Sequence, residues 1–398
     1  MKYGFFLFAL ILCATSFAQI NNGIWRGELI LHDTLSLPFN FEVVGNKATI
    51  KNAEERIDAT IIHKQDSDVI RLPDFDAEIH FANLDGLLIG EFFNLSRKTE
   101  NVIPFRAINN TSYRFFDKPE KTTANISGKW KVKFDGEDDE NKFSVGIFKQ
   151  EGNHVTGTFL TTTGDYRYLE GEFGGNQLFL SCFDGGHSFL FTAEYKNNQL
   201  VNGHYFSGNH WHDTWSATPD ENFKLPDERS FTHLKDGFSK IEFTFPDVNS
   251  KMISLSDDQF KNKVVIIQIM GTWCPNCLDE TRYLSMWFNE RKNDDVKIIG
   301  LDFEKIIDTT VAFKNIKRMV DRYTINYPVV FAGSAIRSEA SKSLPMLNRV
   351  FAFPTTIYIS RDGTVREIHS GFNGPATGQY FEDYKANFNK LIEEMISK

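Results

Sequence analysis

The sequence predicts an all-β N-terminal region followed by an α/β C-terminal domain, and three observations lead to this fold class. Short runs of alternating apolar and polar residues, broken by Gly, Asn and Asp, fill residues 20–218. A polar segment that contains proline follows at 219–236. From about residue 240, continuous apolar strands alternate with segments whose apolar residues recur every three or four positions.

The N-terminus has the pattern of a secretory signal peptide over residues 1–18. A positively charged start precedes an apolar run over 4–14, and small residues stand at positions 16 and 18. A membrane anchor is the first alternative, but the run is too short to cross about 30 Å of hydrocarbon. Lipidation of Cys13 is the second, and the large Leu12 before it argues against that. We therefore expect export to a bacterial periplasm or cell envelope, with no transmembrane segment.

Charge and cysteine content narrow the function classes. The formal net charge is −9, which argues against nucleic acid or an anionic membrane as the main partner. Loss of the leader with Cys13 leaves Cys182, Cys274 and Cys277 of the four cysteines. Exported scaffolds held by disulfides use many paired cysteines. This chain must therefore be stabilised by its packed cores, and its two neighbouring cysteines need another explanation.

The β-rich region contains two pairs of similar tripeptides. Gly23–Trp25 resembles Gly128–Trp130, and Phe105–Ala107 resembles Trp215–Ala217, at offsets of 105 and 110 residues. Such offsets predict two successive β units, although a single larger β domain is an alternative. The strands alone do not distinguish a barrel from a sandwich. The predicted boundaries are 1–18 for the signal peptide, 19–118 and 119–218 for the β units, 219–236 for a linker and 237–398 for the α/β domain.

The sequence of the C-terminal domain predicts alternating strands and helices that end in a hairpin and a helix. Its strand at 264–269 is almost continuously apolar, as in a sheet covered on both faces. The elements expected after it are a helix with its apolar stripe at Cys277, Thr281, Leu284 and Phe288, a strand at 296–301, a helix with its stripe at 313–323, a strand at 327–331, a helix at 334–348, hairpin strands at 355–359 and 365–369, and a last helix at 381–395.

A Trp-Cys-Pro-Asn-Cys motif directly follows the buried strand and opens the helix. Cys274 is expected near the helix N-cap, where unpaired amides and the macrodipole favour a thiolate. Cys277 lies deeper in the first turn and suits a resolving role, Pro275 is tolerated there, and Trp273 would cover one side of the sulfur pair. Half of a zinc site is one alternative, but no second cysteine pair completes four ligands. An inert disulfide is another, but so short a loop constrains little chain.

This motif, together with Phe353, Pro354 and Thr355 before a predicted strand, resembles the TlpA-like thiol–disulfide oxidoreductases of the thioredoxin superfamily. The resemblance covers residues 235–398. It implies a thioredoxin-like domain, a redox-active disulfide between the two cysteines, and a cis Pro354 that packs against it. The backbone beside Pro354, at Phe353 and Thr355, would pair with a substrate strand.

The resemblance also gives a role to Glu280, which lies three residues after Cys277. It implies that Glu280 tunes the cysteine pair or moves its protons; a solvated helix carboxylate is the alternative. Thioredoxin has a buried aspartate six residues before its first cysteine, and Gln268 stands at that position here. Because an amide does not titrate, any buried acid must come from elsewhere or be absent.

Two weaker features lie in the β region. His204, His210 and His212 cluster near its end, and histidines are common metal ligands. A polar strand end is the alternative, and we assign no metal to it. Cys182 is expected to pack as a small apolar core residue.

The function expected from the sequence is that of an exported enzyme that exchanges, and more specifically reduces, protein disulfides in the envelope. It needs no cofactor beyond its dithiol, but it implies an envelope redox donor. Reduction is favoured over oxidation because Asp279 and Glu280 are negative and no Lys, Arg or His lies between Gln268 and Arg282. The alternative is a periplasmic or surface binding protein whose β region binds a ligand or partner, with the redox domain accessory to it.

Overall fold

A computed structural model of the chain describes residues 20–32, 35–64, 67–97, 99–138, 141–291 and 295–397. The predicted signal peptide lies outside these residues. Among the described residues, no helix combines the length and the apolar character needed to cross a membrane.

The first β unit is a closed antiparallel barrel in which each strand pairs with the next and the first pairs with the last. Its strands are β1 (Gly23–His32), β2 (Leu35–Val44), β3 (Lys47–Asn52), β4 (Glu55–His63), β5 (Asp68–Leu72), β6 (Ala77–Asn83), β7 (Leu87–Asn94) and β8 (Val102–Asn109). Because side chains alternate between the two faces of a strand, every second residue points inward. Large aromatic side chains such as Trp25, Phe39 and Phe105 fill the interior.

The second β unit closes in the same way, and its interior is also filled by aromatic side chains such as Phe159, Phe191 and Trp215. Its strands are β9 (Gly128–Phe134), β10 (Phe143–Glu151), β11 (His154–Thr161), β12 (Gly164–Asp165), β13 (Leu169–Gly174), β14 (Gln177–Phe183), β15 (Ser188–Lys196), β16 (Gln199–Ser207) and β17 (Trp211–Pro219). β10 pairs with β9 and β11, β17 pairs with β9, and the short β12 is an addition to β11.

The two barrels repeat one another, which confirms the predicted repetition. Trp25 and Trp130 are buried in the first strand of each barrel, and each indole N–H donates to the carbonyl four residues earlier at 2.9 Å. The first and last strands of each barrel also pair in equivalent register, with Gly27 opposite Ala107 and Val132 opposite Ala217.

The C-terminal domain has a five-stranded sheet in the order β22-β21-β20-β23-β24, covered on both faces. Its elements are β18 (Thr244–Pro246), β19 (Met252–Ser254), β20 (Val264–Met270), α1 (Pro275–Glu290), β21 (Val296–Glu304), α2 (Thr309–Tyr323), β22 (Val329–Ser334), α3 (Arg337–Ser343), β23 (Thr355–Ile359), β24 (Val365–Ser370) and α4 (Gln379–Ile396). β20, β21 and β22 are parallel, whereas β23 and β24 are antiparallel to their neighbours. In β20, Val264 and Ile266 pack with α1, α2 and α4, while Val265 and Ile267 pack with α3 and the β18–β19 hairpin. Burial of both faces explains the continuous apolar run.

One helix is shorter than the sequence predicts. The expected helix at 334–348 is reduced to α3, which ends at Ser343. Pro345 disfavours the helical conformation of the residue before it, and Leu344 accordingly has φ −127° and ψ 67°. The rest of the segment is a loop whose Asn348 accepts from the backbone N–H of His233 at 2.9 Å. The end of the predicted linker therefore contacts the C-terminal domain. The domain boundaries given above remain predictions.

Candidate active site

Cys274 and Cys277 form a disulfide at the start of α1, with their Cα atoms 5.2 Å apart. Cys274 is the N-cap residue, and its Sγ accepts from the backbone N–H of Cys277 at 3.2 Å. Pro275 follows as the first helical residue, where a missing N–H breaks no helix hydrogen bond. Cys274 is 6% exposed and Cys277 is fully buried, so Cys274 is the more accessible of the two.

Aromatic side chains and the loop before β23 flank the sulfur pair. The Phe353–Pro354 peptide bond is cis, and the carbonyl oxygen of Phe353 lies 3.5 Å from Cys274 Sγ. The rings of Trp273 and Phe353 meet edge to face at 5.7 Å. The indole N–H of Trp273 donates to the carbonyl of Phe303 at 2.8 Å, which fixes the ring beside Cys274.

The two residues predicted to pair with a substrate strand differ in position. Thr355 is buried and pairs on both sides, with Ile269 and Ser370, so the structure does not bring it to the surface near Cys274. Phe353 does reach that surface. Within the described ranges, neither its N–H nor its carbonyl pairs with another backbone group.

Glu280 is buried beneath the cysteine pair rather than solvated. Its carboxylate accepts from the hydroxyls of Thr356 at 2.6 Å and Tyr384 at 3.1 Å, and from the amide of Gln268 at 2.9 Å. The same amide of Gln268 donates to the carbonyl of Cys277 at 3.2 Å. Burial raises the pKa of Glu280, and the hydrogen bonds to its carboxylate offset only part of that rise. The buried acid that Gln268 cannot supply is therefore supplied by Glu280, and Gln268 holds it in place.

A second pair of buried acids lies behind the motif, at the end of β21. Asp302 accepts from the backbone N–H of Thr272 at 3.1 Å, and Glu304 accepts from the hydroxyl of the same threonine. Burial raises the pKa of both carboxyls, and the charge of Glu304 raises that of Asp302 further. These contacts anchor the residue just before Trp273.

The second barrel reaches the redox site through β12. The side-chain amide of Asn276, between the two cysteines, donates to the carbonyl of Asp165 at 3.1 Å. The Asp165 carboxylate accepts from the backbone N–H of Gly374 at 2.7 Å. Gly164 has φ +148°, and a Cβ there would lie 2.1 Å from the Asn276 amide. A glycine is therefore required for this close approach.

Arg167 joins both barrels to α1. Its buried guanidinium pairs with Glu55 of the first barrel at 2.7 Å, with Asp184 of the second at 3.3 Å, and with Asp279 of α1. Burial acts to lower the pKa of Arg167, but the carboxylates outweigh it and raise the pKa overall. Asp279 also pairs with Arg282 at 3.2 Å. Asp279 is close to the thiols in the sequence, and these two arginines compensate its negative charge.

The first barrel makes its own contact with the C-terminal domain through Asp74. This carboxylate pairs with Arg282 of α1 at 3.0 Å and with Arg322 of α2. It also accepts from the hydroxyl of Tyr323 at 2.5 Å. The β region therefore contacts the redox helix directly.

These contacts leave a cleft of about 410 Å³ between the two barrels and the redox site. Cys274, Trp273 and Phe353 line it from the C-terminal domain. Five basic residues also line it, and they come from separate parts of the chain: Arg97, His187, His210, Lys305 and Arg337. Of these residues and Arg167, only His210 belongs to a group that the sequence marks, the histidine cluster, and only the tertiary structure brings them together.

The weaker expectations concern the β region. Cys182 is a buried free cysteine in the core of the second barrel, which confirms its expected packing. His204 and His212 lie side by side, with ring nitrogens 3.0 Å apart, whereas His210 lines the cleft. In the described part of the chain, no three His, Cys, Asp or Glu side chains form a group that could hold a metal ion.

Comparisons with known proteins match the C-terminal domain, which carries the cysteine pair, to thiol-disulfide oxidoreductases. The family model described as Redoxin matches residues 235–386. The thiol-disulfide oxidoreductase ResA of Bacillus cereus (strain ATCC 10987 / NRS 248) is 32% identical over 167 residues, which are 39% of this chain and 84% of the relative. ResA of Bacillus subtilis (strain 168) is 28% identical over 138 residues, which are 35% of this chain and 69% of the relative.

Among solved structures, a thiol:disulfide interchange protein of the thioredoxin family from Chlorobium tepidum TLS is 19% identical and has a TM-score of 0.31. The alignment covers 41% of this chain and 99% of that chain. The length and identity of the matches to the ResA proteins, together with the Redoxin match, are sufficient to assign the family. The chain belongs to the TlpA-like thiol–disulfide oxidoreductases of the thioredoxin superfamily.

Proposed function

We propose that this thiol–disulfide oxidoreductase is exported to the bacterial periplasm or cell envelope and reduces disulfides of proteins there. The observation that most directly supports disulfide exchange is the placement of Cys274 at the N-cap of α1, where its Sγ lies 3.5 Å from the carbonyl oxygen of Phe353 and both residues line the cleft. A substrate chain that pairs with Phe353 brings its disulfide next to Cys274 Sγ. Trp273 then covers the flank of the reacting sulfurs.

The proposed reaction transfers two electrons from the dithiol to the substrate. The Cys274 thiolate attacks one substrate sulfur, the substrate S–S bond breaks, and the departing thiolate takes up a proton. Cys277 then loses its proton and attacks Cys274 Sγ, which releases the second substrate thiol and forms the Cys274–Cys277 disulfide. An envelope dithiol donor returns the protein to its reduced form, and the exchange uses no cofactor.

Glu280 is proposed as the group that handles the proton of Cys277. Its raised pKa lets a buried carboxyl exchange a proton closer to neutral pH. Gln268 links Glu280 to the Cys277 backbone, so the position of the carboxyl follows the first turn of α1. Glu280 therefore acts through Cys277, with no contact to the substrate required.

The proposed direction is reduction. A carbonyl oxygen 3.5 Å from Cys274 Sγ favours the thiol over the thiolate. Lys305 and the backbone N–H of Cys277, which donates to Cys274 Sγ at 3.2 Å, act in the opposite sense. Because these contacts oppose one another, we expect a moderately stabilised thiolate. A strong oxidase requires a heavily stabilised thiolate. Equilibration with glutathione tests the direction: a potential of about −120 mV, the strongly oxidising end of the scale, would contradict it.

The activity is tested by insulin reduction with the full chain and dithiothreitol as donor. Cys274→Ser should abolish the activity. Cys277→Ser should lose turnover and, once it has been reduced and freed of dithiothreitol, should accumulate a mixed disulfide with the substrate. The free Cys182 provides a matched control, because Cys182→Ser removes a thiol in the core of the second barrel. Retained turnover in Cys274→Ser would refute the assignment.

The alternative, a binding protein whose β region takes a ligand, is less well supported. Packed side chains fill the interiors of both barrels. The cleft that the barrels do form is lined by Cys274. We therefore propose that the β region serves the redox reaction.

A further inference from the structure

The cleft beside Cys274 has an excess of positive charge. Arg97, Lys305 and Arg337 all line it, and in the described part of the chain none of the three has a carboxylate within ion-pairing distance. They come from the segment between β7 and β8, from the segment after β21 and from the start of α3, respectively. Three unpaired cations from three parts of the fold thus converge on one opening.

Lys305 lies next to the reacting sulfurs. Its ammonium is 4.2 Å from the centre of the Trp273 ring, and Trp273 is the residue before Cys274. Burial of the ammonium and the charge of Arg97 lower the pKa of Lys305 to about 8, although the residue as a whole is exposed. Burial, Arg97 and Lys305 together lower the pKa of His210 to about 4. These shifts agree with a shared positive potential at this opening.

The acids of the cleft do not cancel these charges. Asp165 is buried, and its carboxylate accepts from the backbone N–H groups of Arg167 and Gly374, both at 2.7 Å. Glu100 is exposed at the rim and acts on Arg97 from beyond ion-pairing distance. Glu304 acts on Lys305, and Glu137 interacts with Arg337, also from beyond ion-pairing distance, and neither of these two carboxylates lines the cleft.

We propose that the cleft selects disulfides carried on acidic, extended polypeptide segments. A volume of about 410 Å³ lies at the lower end of the range of about 300–1,000 Å³ that takes ligands of drug size. It admits a short stretch of chain and excludes a folded domain. The unpaired backbone of Phe353 offers strand-like pairing to that stretch, and the cations meet carboxylates on either side of the substrate cysteine.

This inference rests on the proposed function, and a single turnover isolates it from the unknown donor. The reduced protein gives two electrons and two protons to a peptide disulfide. The products are the Cys274–Cys277 disulfide and two peptide thiols, so no further reductant takes part.

The probes are three peptide disulfides of one sequence in which the residues flanking cysteine are Glu, Gln or Lys. We expect the pre-reduced full-length protein to react about tenfold faster with the Glu peptide than with the Gln peptide at low salt. The Lys peptide should be slowest, and the differences should shrink at about 1 M salt. Peptide thiol release, followed by stopped flow, gives the rates.

Variants show whether the cleft causes the preference. Lys305→Gln and Arg97→Gln should each lower the ratio of the Glu-peptide rate to the Gln-peptide rate, and Lys305→Arg should keep it. Lys314→Gln is the matched control, because Lys314 is an exposed lysine of α2 that does not line the cleft. A ratio that stays unchanged in both cleft variants would overturn the proposal.

Two further outcomes separate the possible failures. Equal rates with all three peptides would overturn the selection of acidic segments but leave the proposed function standing, whereas no reaction with any peptide would overturn the function itself. Oxidised glutathione is a small disulfide that also carries carboxylates. A rate equal to that of the Glu peptide would assign the cleft to a small molecule instead of a polypeptide.

Discussion

Replacing Arg167 by methionine tests whether the barrels control access to the redox site. The change removes a guanidinium that is 4% exposed and leaves Glu55, Asp184 and Asp279 buried without it. Loss of one partner of a buried ion pair costs about 3–5 kcal/mol. Glu55 keeps Asn52 and Asp279 keeps Arg282 as another partner, and Asp184 keeps His187 and the backbone N–H of Gly186. We therefore expect the lower end of this range: Arg167→Met should make separation of α1 from the barrels easier by about 3 kcal/mol.

A loss of about 3 kcal/mol raises the open population about 10²-fold, since 1.4 kcal/mol corresponds to a factor of ten. The assay is alkylation of reduced Cys274 by a maleimide on a polymer too large for the cleft, with iodoacetamide as the small reagent. The large reagent should be accelerated far more than the small one. The control is Arg71→Met, which removes a 3.6 Å pair with Glu78 in which the arginine is 51% exposed and should cost at most about 1 kcal/mol. Equal large-reagent rates in wild type and a folded Arg167→Met protein would refute the reasoning.

Three further predictions concern protonation and reactivity. Burial raises the pKa of Glu280, so its contribution to the free energy of unfolding is complete below the ordinary carboxyl pKa and is lost as pH rises through the raised value. Glu280→Gln should remove this loss, as urea unfolding would show, and should shift the pH profile of thiol alkylation. Tyr384→Phe, which removes one donor but keeps the carboxyl, is its control, and identical profiles for Glu280→Gln and wild type would contradict the prediction. Burial acts to raise the pKa of Asp184, but His187 and Arg167 outweigh it and hold the pKa at about 2. The ionised carboxylate therefore stabilises the folded protein above the ordinary carboxyl pKa, and this contribution disappears as pH falls towards 2. Asp184→Asn should therefore flatten the acid limb of unfolding followed by tryptophan fluorescence, and an unaltered limb would argue against it. In the reduced protein, iodoacetamide should label Cys274 before Cys277 at neutral pH, as mass spectrometry of peptides would show; the reverse order would exchange their roles.

The redox motif could be predicted from the sequence because its determinants are local. Trp273 to Cys277 are consecutive, the strand before them is uniformly apolar, and Pro275 marks the first turn of a helix. The repetition of the barrels could also be predicted, because Trp25 and Trp130 each follow a glycine by two positions, at Gly23 and Gly128. Closure into barrels could not, because alternation of apolar and polar residues describes the strands of a barrel and of a sandwich equally.

The electrostatics of the site could not be read from neighbours in the sequence. The charges between Gln268 and Arg282 are acidic, yet Asp279 is compensated by Arg167, which lies 112 residues away in the chain. The raised pKa of Glu280 depends on burial under α4 and β23, which no spacing along α1 reveals. Lys305 approaches Trp273 because β21 ends beside β20, a consequence of sheet topology.

The enclosure of Cys274 has a consequence for turnover. With 6% of its surface exposed and its opening in the cleft, the sulfur that gives electrons to the substrate is also the one that a donor must reach to restore them. The two partners then occupy the same opening at different times, so the steady-state kinetics should be ping-pong, with each partner a competitive inhibitor of the other's half-reaction. An excess of oxidised substrate should slow the cycle by occupying the cleft of the oxidised enzyme.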